Sequence, residues 1–446
     1  MIQSELFLRV IGVIYFIAFF SLWRELFALY GDKGIVPIKE AMERLKLAKY
    51  HFFKVPTLFW LGSSNRMIQG LVFAGMALSV FVVLDVLTPF SLFFLWLIYL
   101  SFTNVGSPFL NFQWDSLLTE VGFYTFLFSV SPALEEPMMW VFWLLLFRLM
   151  FSSAIVKYQA YTPHWRTLRA MDYHYESQPL PNALSFFMHG QSKRFSTFTT
   201  IFVFIVEGVV PFMIFMGDAL RTAAFFILVF FQWLIILTGN FAFFNILTIA
   251  LCFPLLFDKL PETTPWALGV GGIFAFVNVL SITRLFFPFS ELTPLFYKLG
   301  QWGLLHNYGL FANMTKERYE IVIEGSDDAE KWKAYEFFTK PQSLNKPPSQ
   351  IAPLQPRVEW QLWFIPMVPW NTAGWFSRFL ERVLEGSPYV LSLFKVNPFP
   401  DSPPKYIRAL IYNYRFNDIK TWRKTGHIWT RTYMGVYTPP IELSKK

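Results

Sequence analysis

Five charged side chains stand inside or at the ends of the most apolar runs of this 446-residue sequence: Asp115, Glu120, Arg148, Lys157 and Glu207. A charge at the centre of a membrane helix costs about 2.5–3.5 kcal/mol even on insertion scales, so such residues face a bundle interior and find partners. Arg148, with apolar residues on both sides, is expected to pair with Glu120 or Glu207. The alternative is a polar site inside the bundle. Asp115 and Glu120 are five apart, which is not the spacing of a carboxylate pair on one helix face. Lys157 ends an apolar run, where a lysine ordinarily snorkels to the interface. The six histidines (51, 164, 174, 189, 306 and 427) show no metal-ligand spacing. His174 and Glu176 form H-x-E, but Cys252 is the single cysteine, so no C-x-x-C completes a deaminase-type zinc site. HExxH, GxSxG, P-loop and GxGxxG strings are absent. No metal, no cofactor and no nucleic-acid partner is expected.

The elements that must position these residues follow from composition. Hydrophobic residues make up 54%, aromatics 20% and charged residues only 15%, against roughly 25% charged in a soluble domain. Mean hydropathy is +0.39. One soluble core cannot hide that much apolar surface, so the chain is an integral membrane protein with the lipid bilayer as its first partner. Apolar runs cover residues 6–23, 68–87, 90–102, 117–130, 137–155, 197–216, 220–237, 241–257 and 266–282. About 20 apolar residues cross a hydrocarbon core, and the third and fourth runs are short. The expected fold is therefore a polytopic α-helical membrane bundle of seven to nine spans, residues 1–290, with polar loops at 24–66 and 157–195. The first run carries Ser4-Glu5 where a signal peptide has basic residues, and no A-x-A site follows, so it reads as a retained span.

Beyond residue 287 prolines, charges and tryptophans spread out. Residues 295–446 are expected to form a small, membrane-proximal, soluble α+β domain with a β-sheet. Segments 318–324, 333–339, 406–414 and 428–437 read as strands. Residues 375–384 read as a helix capped by Gly386, and the proline-rich 341–356 as a loop. The sheet and its helix leave over Trp360, Trp363 and Trp370, which are expected against the bundle or the headgroups, beside a client-facing surface. Segments 111–122 and 173–181 are unusually polar and are expected to meet at one membrane face. With residues from neighbouring spans they make a candidate polar site of Asn111, Gln113, Trp114, Asp115, Glu120, Arg148, His174, Tyr175, Glu176, Asn240 and Asn245. The 24–66 loop carries eight Lys/Arg against four Asp/Glu, and 157–194 five against two. With nine crossings both loops share one side with the C-terminal domain, and the positive-inside rule makes that side cytoplasmic.

Eight strings, in order, resemble the lipase maturation factor family: NFQWDSLLTEVG (111–122), WLLLFRLMF (143–151), YHYESQPLP (173–181), GNFAFFNILT (239–248), NYGLF (307–311), APLQPR (352–357) with Trp360, LEGSP (384–388) and NPFP (397–400). The resemblance implies a polytopic protein that assists the folding and assembly of secreted dimeric lipases, without enzymatic activity. In a eukaryote it implies the endoplasmic reticulum membrane, with the C-terminal domain in the lumen. In a bacterial relative, which the lone cysteine and compact length suit, it implies the inner membrane. Lys445-Lys446 close the chain outside a dilysine position. A shorter stretch, FSSAIVK (151–157) with Trp165, resembles the membrane region of vitamin K-dependent carboxylases. That likeness implies a rival function: a membrane enzyme for a quinone-like or lipid substrate, with Lys157 as base and His174 or Glu207 assisting.

Overall fold

The structure, a computed structural model, describes residues 2–443 apart from Lys259 and Pro288; Lys445-Lys446 lie outside the described residues. The helices, in chain order, are α1 Ile2–Tyr30, α2 Ile38–Leu47, α3 Asn65–Val83, α4 Thr88–Val105, α5 Gln113–Val130, α6 Glu135–Gln159, α7 Met171–Ser177, α8 Ala183–His189, α9 Lys193–Gly208, α10 Asp218–Thr238, α11 Phe244–Cys252, α12 Pro265–Thr283, α13 Thr293–Gln301, α14 Arg357–Leu362, α15 Gly374–Leu384, α16 Pro388–Leu391 and α17 Ile419–Thr425. Among the described residues, seven stretches are helical, long and apolar enough to cross a membrane: Gln3–Tyr30, Asn65–Val83, Thr88–Val105, Pro132–Gln159, Lys193–Phe215, Asp218–Thr238 and Pro265–Thr283. The short third run of the sequence is one of them. The fourth run and 241–257 are not. They become α5, which starts with the polar Gln113 and Asp115, and the short apolar helix Phe244–Leu256. Both are largely buried among the spanning helices.

Close helix contact is built with small residues. A Cβ on Gly122 of α5 would lie 1.7 Å from the Tyr15 hydroxyl and 2.9 Å from its Cζ. That hydroxyl donates to the Leu118 carbonyl at 3.2 Å. Gly122→Ala is therefore expected to push α1 off α5 and destabilise the bundle by about 1–3 kcal/mol, the usual cost of overpacking. Thermal unfolding in detergent measures it, and Tyr15→Phe in the Gly122→Ala background should return part of the loss. An unshifted melting temperature for Gly122→Ala would refute the close approach.

The C-terminal domain holds a four-stranded antiparallel sheet of order β2-β1-β5-β6, with β1 Arg318–Ser326, β2 Lys333–Ala334, β5 Tyr406–Phe416 and β6 Trp429–Ile441; β3 Glu336–Phe337 pairs separately with β4 Phe394–Val396. The expected single strand 333–339 is thus split between two sheets. Residues Ile321, Val322 and Ile323 are all buried, so both faces of β1 are covered. Helix α15 lies on the core with Phe376, Phe379, Leu380 and Leu384 buried. It ends in a left-handed Gly386 (φ +67), with Ser387 N–H bonded to Arg382 O at 2.9 Å and Gly386 N–H to Val383 O at 3.0 Å. Those two bonds satisfy the last carbonyls of the helix.

The domain does not hang free. Arg382 Nε donates to Gly34 O (3.0 Å) and Ser387 Oγ to Lys33 O (2.9 Å), while Trp363 Nε1 donates to Ser177 O (2.8 Å). Both basic loops therefore touch the C-terminal domain.

Candidate functional site

Docking is built from an arginine on each side of the domain. Proline at 356 starts α14 and sends Arg357 into the bundle, where its guanidinium and Asp115 are both fully buried. Nη2 meets Oδ1 at 3.1 Å and Nη1 meets Oδ2 at 3.2 Å, and Nη1 also donates to Phe109 O at 2.6 Å. Tyr99 O–H (2.6 Å) and Phe112 N–H (3.3 Å) fill the remaining acceptor sites of Asp115. The neighbouring residues continue the seam. Trp114 Nε1 donates to Gln355 Oε1 (2.9 Å), and Gly309 N–H donates to Gln113 Oε1 (3.0 Å). Trp360 packs edge-on against Trp114 with ring centroids 5.0 Å apart. Asn240 holds the proline-rich segment by both ends of its amide: Nδ2 donates to Ser349 O (2.9 Å), and Oδ1 accepts from Ile351 N–H (2.7 Å) and Ala352 N–H (3.0 Å).

The second arginine, Arg318, opens β1. It caps the 173–181 loop by donating to the carbonyls of Glu176 (3.0 Å), Gln178 and Pro179 (2.7 Å). Glu320 balances its charge at 2.5 Å and that of Lys340 at 2.8 Å. In return Glu176 Oε2 accepts from the Phe416 N–H at 2.7 Å. The two polar segments, 111–122 and 173–181, therefore do not pool into one site. They are two banks of a docking surface, bridged by α14, whose first residue holds Asp115 and whose capping Trp363 holds Ser177.

Inside the bundle the other charges pair separately. Arg148 pairs with Glu120, not Glu207, and both are fully buried. Glu120 also accepts from Tyr308 O–H (2.6 Å), His306 N–H (3.1 Å) and Tyr124 O–H (3.1 Å). Lys157 does not snorkel. It is buried, and its ammonium sits between both carboxylate oxygens of Glu207 at 2.7 and 2.6 Å, with the Trp165 ring beneath it at 5.3 Å. This pair lines a cavity of about 390 Å³ together with His174, Tyr175 and Asn245. Burial, with a smaller push from Lys157, lowers the His174 pKa to about 4, so its imidazole is neutral at pH 7. Asn245 donates to Gln232 Oε1 at 2.8 Å. Among the described residues no group of three His, Cys, Asp or Glu side chains is placed to hold a metal ion.

Of the sequence candidates, Gln113, Trp114, Asp115, Glu176 and Asn240 fall on the docking surface, Glu120 and Arg148 in the internal pair, and Lys157, His174, Tyr175, Glu207 and Asn245 on the cavity. Asn111 is exposed and lines a different pocket with His306. Trp360, expected near a client, is buried in the seam, and Trp363 is taken up by Ser177; Trp370 remains exposed. Arg318, Arg357 and Tyr308 were not singled out from the sequence, although Arg357 ends APLQPR and Tyr308 lies in NYGLF. An arginine directly after a proline-rich segment was the one available signal.

Residues 2–263 match the lipase maturation factor transmembrane domain, and residues 304–439 match the lipase maturation factor C-terminal domain. Lipase maturation factor 2 of Xenopus tropicalis is 29% identical, over 95% of this chain and 80% of that protein. Lipase maturation factor 2 of Homo sapiens is 28% identical over 99% of the chain and 83% of that protein. Lipase maturation factor 1 of Mus musculus is 28% identical over 98% and 86%. No solved structure gives a significant match. Strings spread through the membrane bundle, the docking seam and the C-terminal domain thus agree with matches that span nearly the whole chain, and the chain belongs to the lipase maturation factor family.

Proposed function

We propose that this membrane factor acts as a non-enzymatic holder for a partly folded exported protein, a secreted lipase being the client that its relatives' names point to. The observation that carries this reading is the outer edge of the clamped domain. Strand β6 ends the sheet order, and it carries Tyr433, Met434 and Val436 at 54, 50 and 51% exposure. Tyr437 O–H donates to Ile365 O (2.8 Å) and Val368 O (2.7 Å), which draws the exposed Met367, Val368 and Trp370 beside that edge. A long apolar edge strand is a template for another chain, and strand addition supplies main-chain hydrogen bonds with little demand on sequence. Pro439 and Pro440 limit such pairing to the first part of the strand.

The membrane is that of the endoplasmic reticulum in a eukaryotic cell or the inner membrane in a bacterium. In either, the domain must face the compartment the client enters, so both basic loops lie there too, against the positive-inside expectation. Met434→Asp on this edge is expected to lower the yield of active secreted lipase on co-expression by at least about tenfold, the effect of 1.4 kcal/mol of lost client binding, while the factor's own melting temperature in detergent stays unchanged. Undiminished lipase output with Met434→Asp would exclude the edge as the client surface.

A further inference from the structure

We infer that the cavity between α6, α9 and α10 is a binding site for an uncharged amphiphile of the bilayer, a lipid whose head is a hydroxyl. Its volume, about 390 Å³, lies within the roughly 300–1,000 Å³ of small-molecule sites. The walls are mostly apolar, among them Met150, Phe202, Phe231, Phe241 and Phe311. Two further wall residues, Phe198 and Phe230, are 63 and 57% exposed and stand on stretches apolar enough to span a membrane. The cavity therefore opens on the hydrocarbon flank of the bundle, and its occupant enters from the bilayer.

Polar groups select the head. Lys157 and Glu207 cancel each other's charge, each satisfied by the other. His174 is neutral, and neither of its ring nitrogens makes a hydrogen bond among the described residues; Nδ1 is buried without a partner. A neutral imidazole nitrogen either donates or accepts, according to the tautomer, and a hydroxyl can answer either. A phosphodiester or carboxylate head would instead set an unbalanced negative charge beside Glu207, in a pocket of low dielectric where that repulsion is strong. A quaternary ammonium would meet Lys157 in the same way. Site and chain thus call for an apolar body and a neutral hydrogen-bonding tip. The cavity shares no lining residue with the β6 edge, and the inference does not depend on the client reading.

The test is photo-crosslinking of the full chain in lipid nanodiscs. Four photoactivatable probes are compared: a diglyceride, a polyprenol, a phosphatidylcholine and a free fatty acid. Labelling of peptides from α9 or α10 by the diglyceride or the polyprenol, competed away by the same unlabelled lipid, is expected, and whichever of the two labels identifies the source of the hydroxyl head. His174→Phe keeps a flat aromatic ring and removes the nitrogens. It should reduce that labelling about tenfold, the effect of one lost hydrogen bond of 1.4 kcal/mol. Val203→Trp, on the cavity wall, should abolish it by filling the space; should that variant not accumulate, His174→Phe and the competition on the unaltered chain carry the result. Equal labelling by phosphatidylcholine or fatty acid, no labelling by either uncharged probe, or indifference to His174→Phe would overturn the assignment.

Discussion

Arg357→Ala is expected to loosen the C-terminal domain on the membrane bundle. The substitution strips Asp115 of its only cationic partner among the described residues while leaving it fully buried, with Tyr99 O–H and Phe112 N–H as its remaining donors. Removing one member of a buried ion pair costs about 3–5 kcal/mol, because the other charge stays desolvated and uncompensated. The bond from Nη1 to Phe109 O is lost as well. The neighbouring contacts on this bank, Trp114 with Gln355 and Asn240 with residues 349–352, are neutral hydrogen bonds worth about 0.5–1.5 kcal/mol each, so this side of the domain loosens first while the Arg318 bank still holds. Limited trypsin digestion in detergent should release a C-terminal fragment beginning between residues 287 and 318 from Arg357→Ala well before the wild type yields one. Combining Arg357→Gln with Asp115→Asn, which removes both charges and keeps hydrogen-bonding groups, should slow that release again. Identical digestion of Arg357→Ala and wild type would mean that the ion pair does not clamp the domain.

Arg148→Leu should have the second largest effect, on the bundle itself. Among the described residues Glu120 would keep only neutral donors: Tyr308, Tyr124 and the His306 backbone. The same cost of about 3–5 kcal/mol applies, and it falls on α5, the helix that carries Gln113, Trp114 and Asp115 of the seam. Folded protein recovered from membranes, read as the monodisperse peak in size-exclusion chromatography, should drop at least about tenfold, the equivalent of 1.4 kcal/mol. Nε and Nη1 of Arg148 make no hydrogen bond, so the pair is not fully satisfied even in the wild type. Neutralising both sides with Arg148→Met and Glu120→Gln should therefore recover most of the yield, as replacement of buried pairs often does. A single Arg148→Leu with wild-type yield would remove the pair from any structural role.

What was legible in the sequence was what local chemistry dictates. Arginine surrounded by Leu, Phe and Met in WLLLFRLMF demands an acid, whatever the fold, because hydrocarbon does not solvate it. The membrane bundle, the strands around Ile321 and Tyr406, and the Gly386 cap follow in the same way from period, composition and the left-handed region that glycine tolerates. The docking of Trp360 was readable as aromatic surplus, though its burial in the seam rather than at a client surface was not.

Partner choice was decided only in three dimensions. Arg148 and Lys157 lie nine residues apart on α6, about two and a half helical turns, so they point to opposite sides. One side meets α5 and Glu120, the other meets α9 and Glu207. Nothing in the spacing of Glu120 or Glu207 along the chain says which acid belongs to which cation, since each lies on a different helix. The same holds for Arg357 and Asp115, which are 242 residues apart, and for the cavity, whose walls come from α6, α7, α9, α10, α11 and the 310–314 segment. Hydropathy and capping are properties of neighbours in sequence and survive in a one-dimensional reading. Charge pairing, docking and an enclosed volume are properties of neighbours in space, fixed only once the helices have packed.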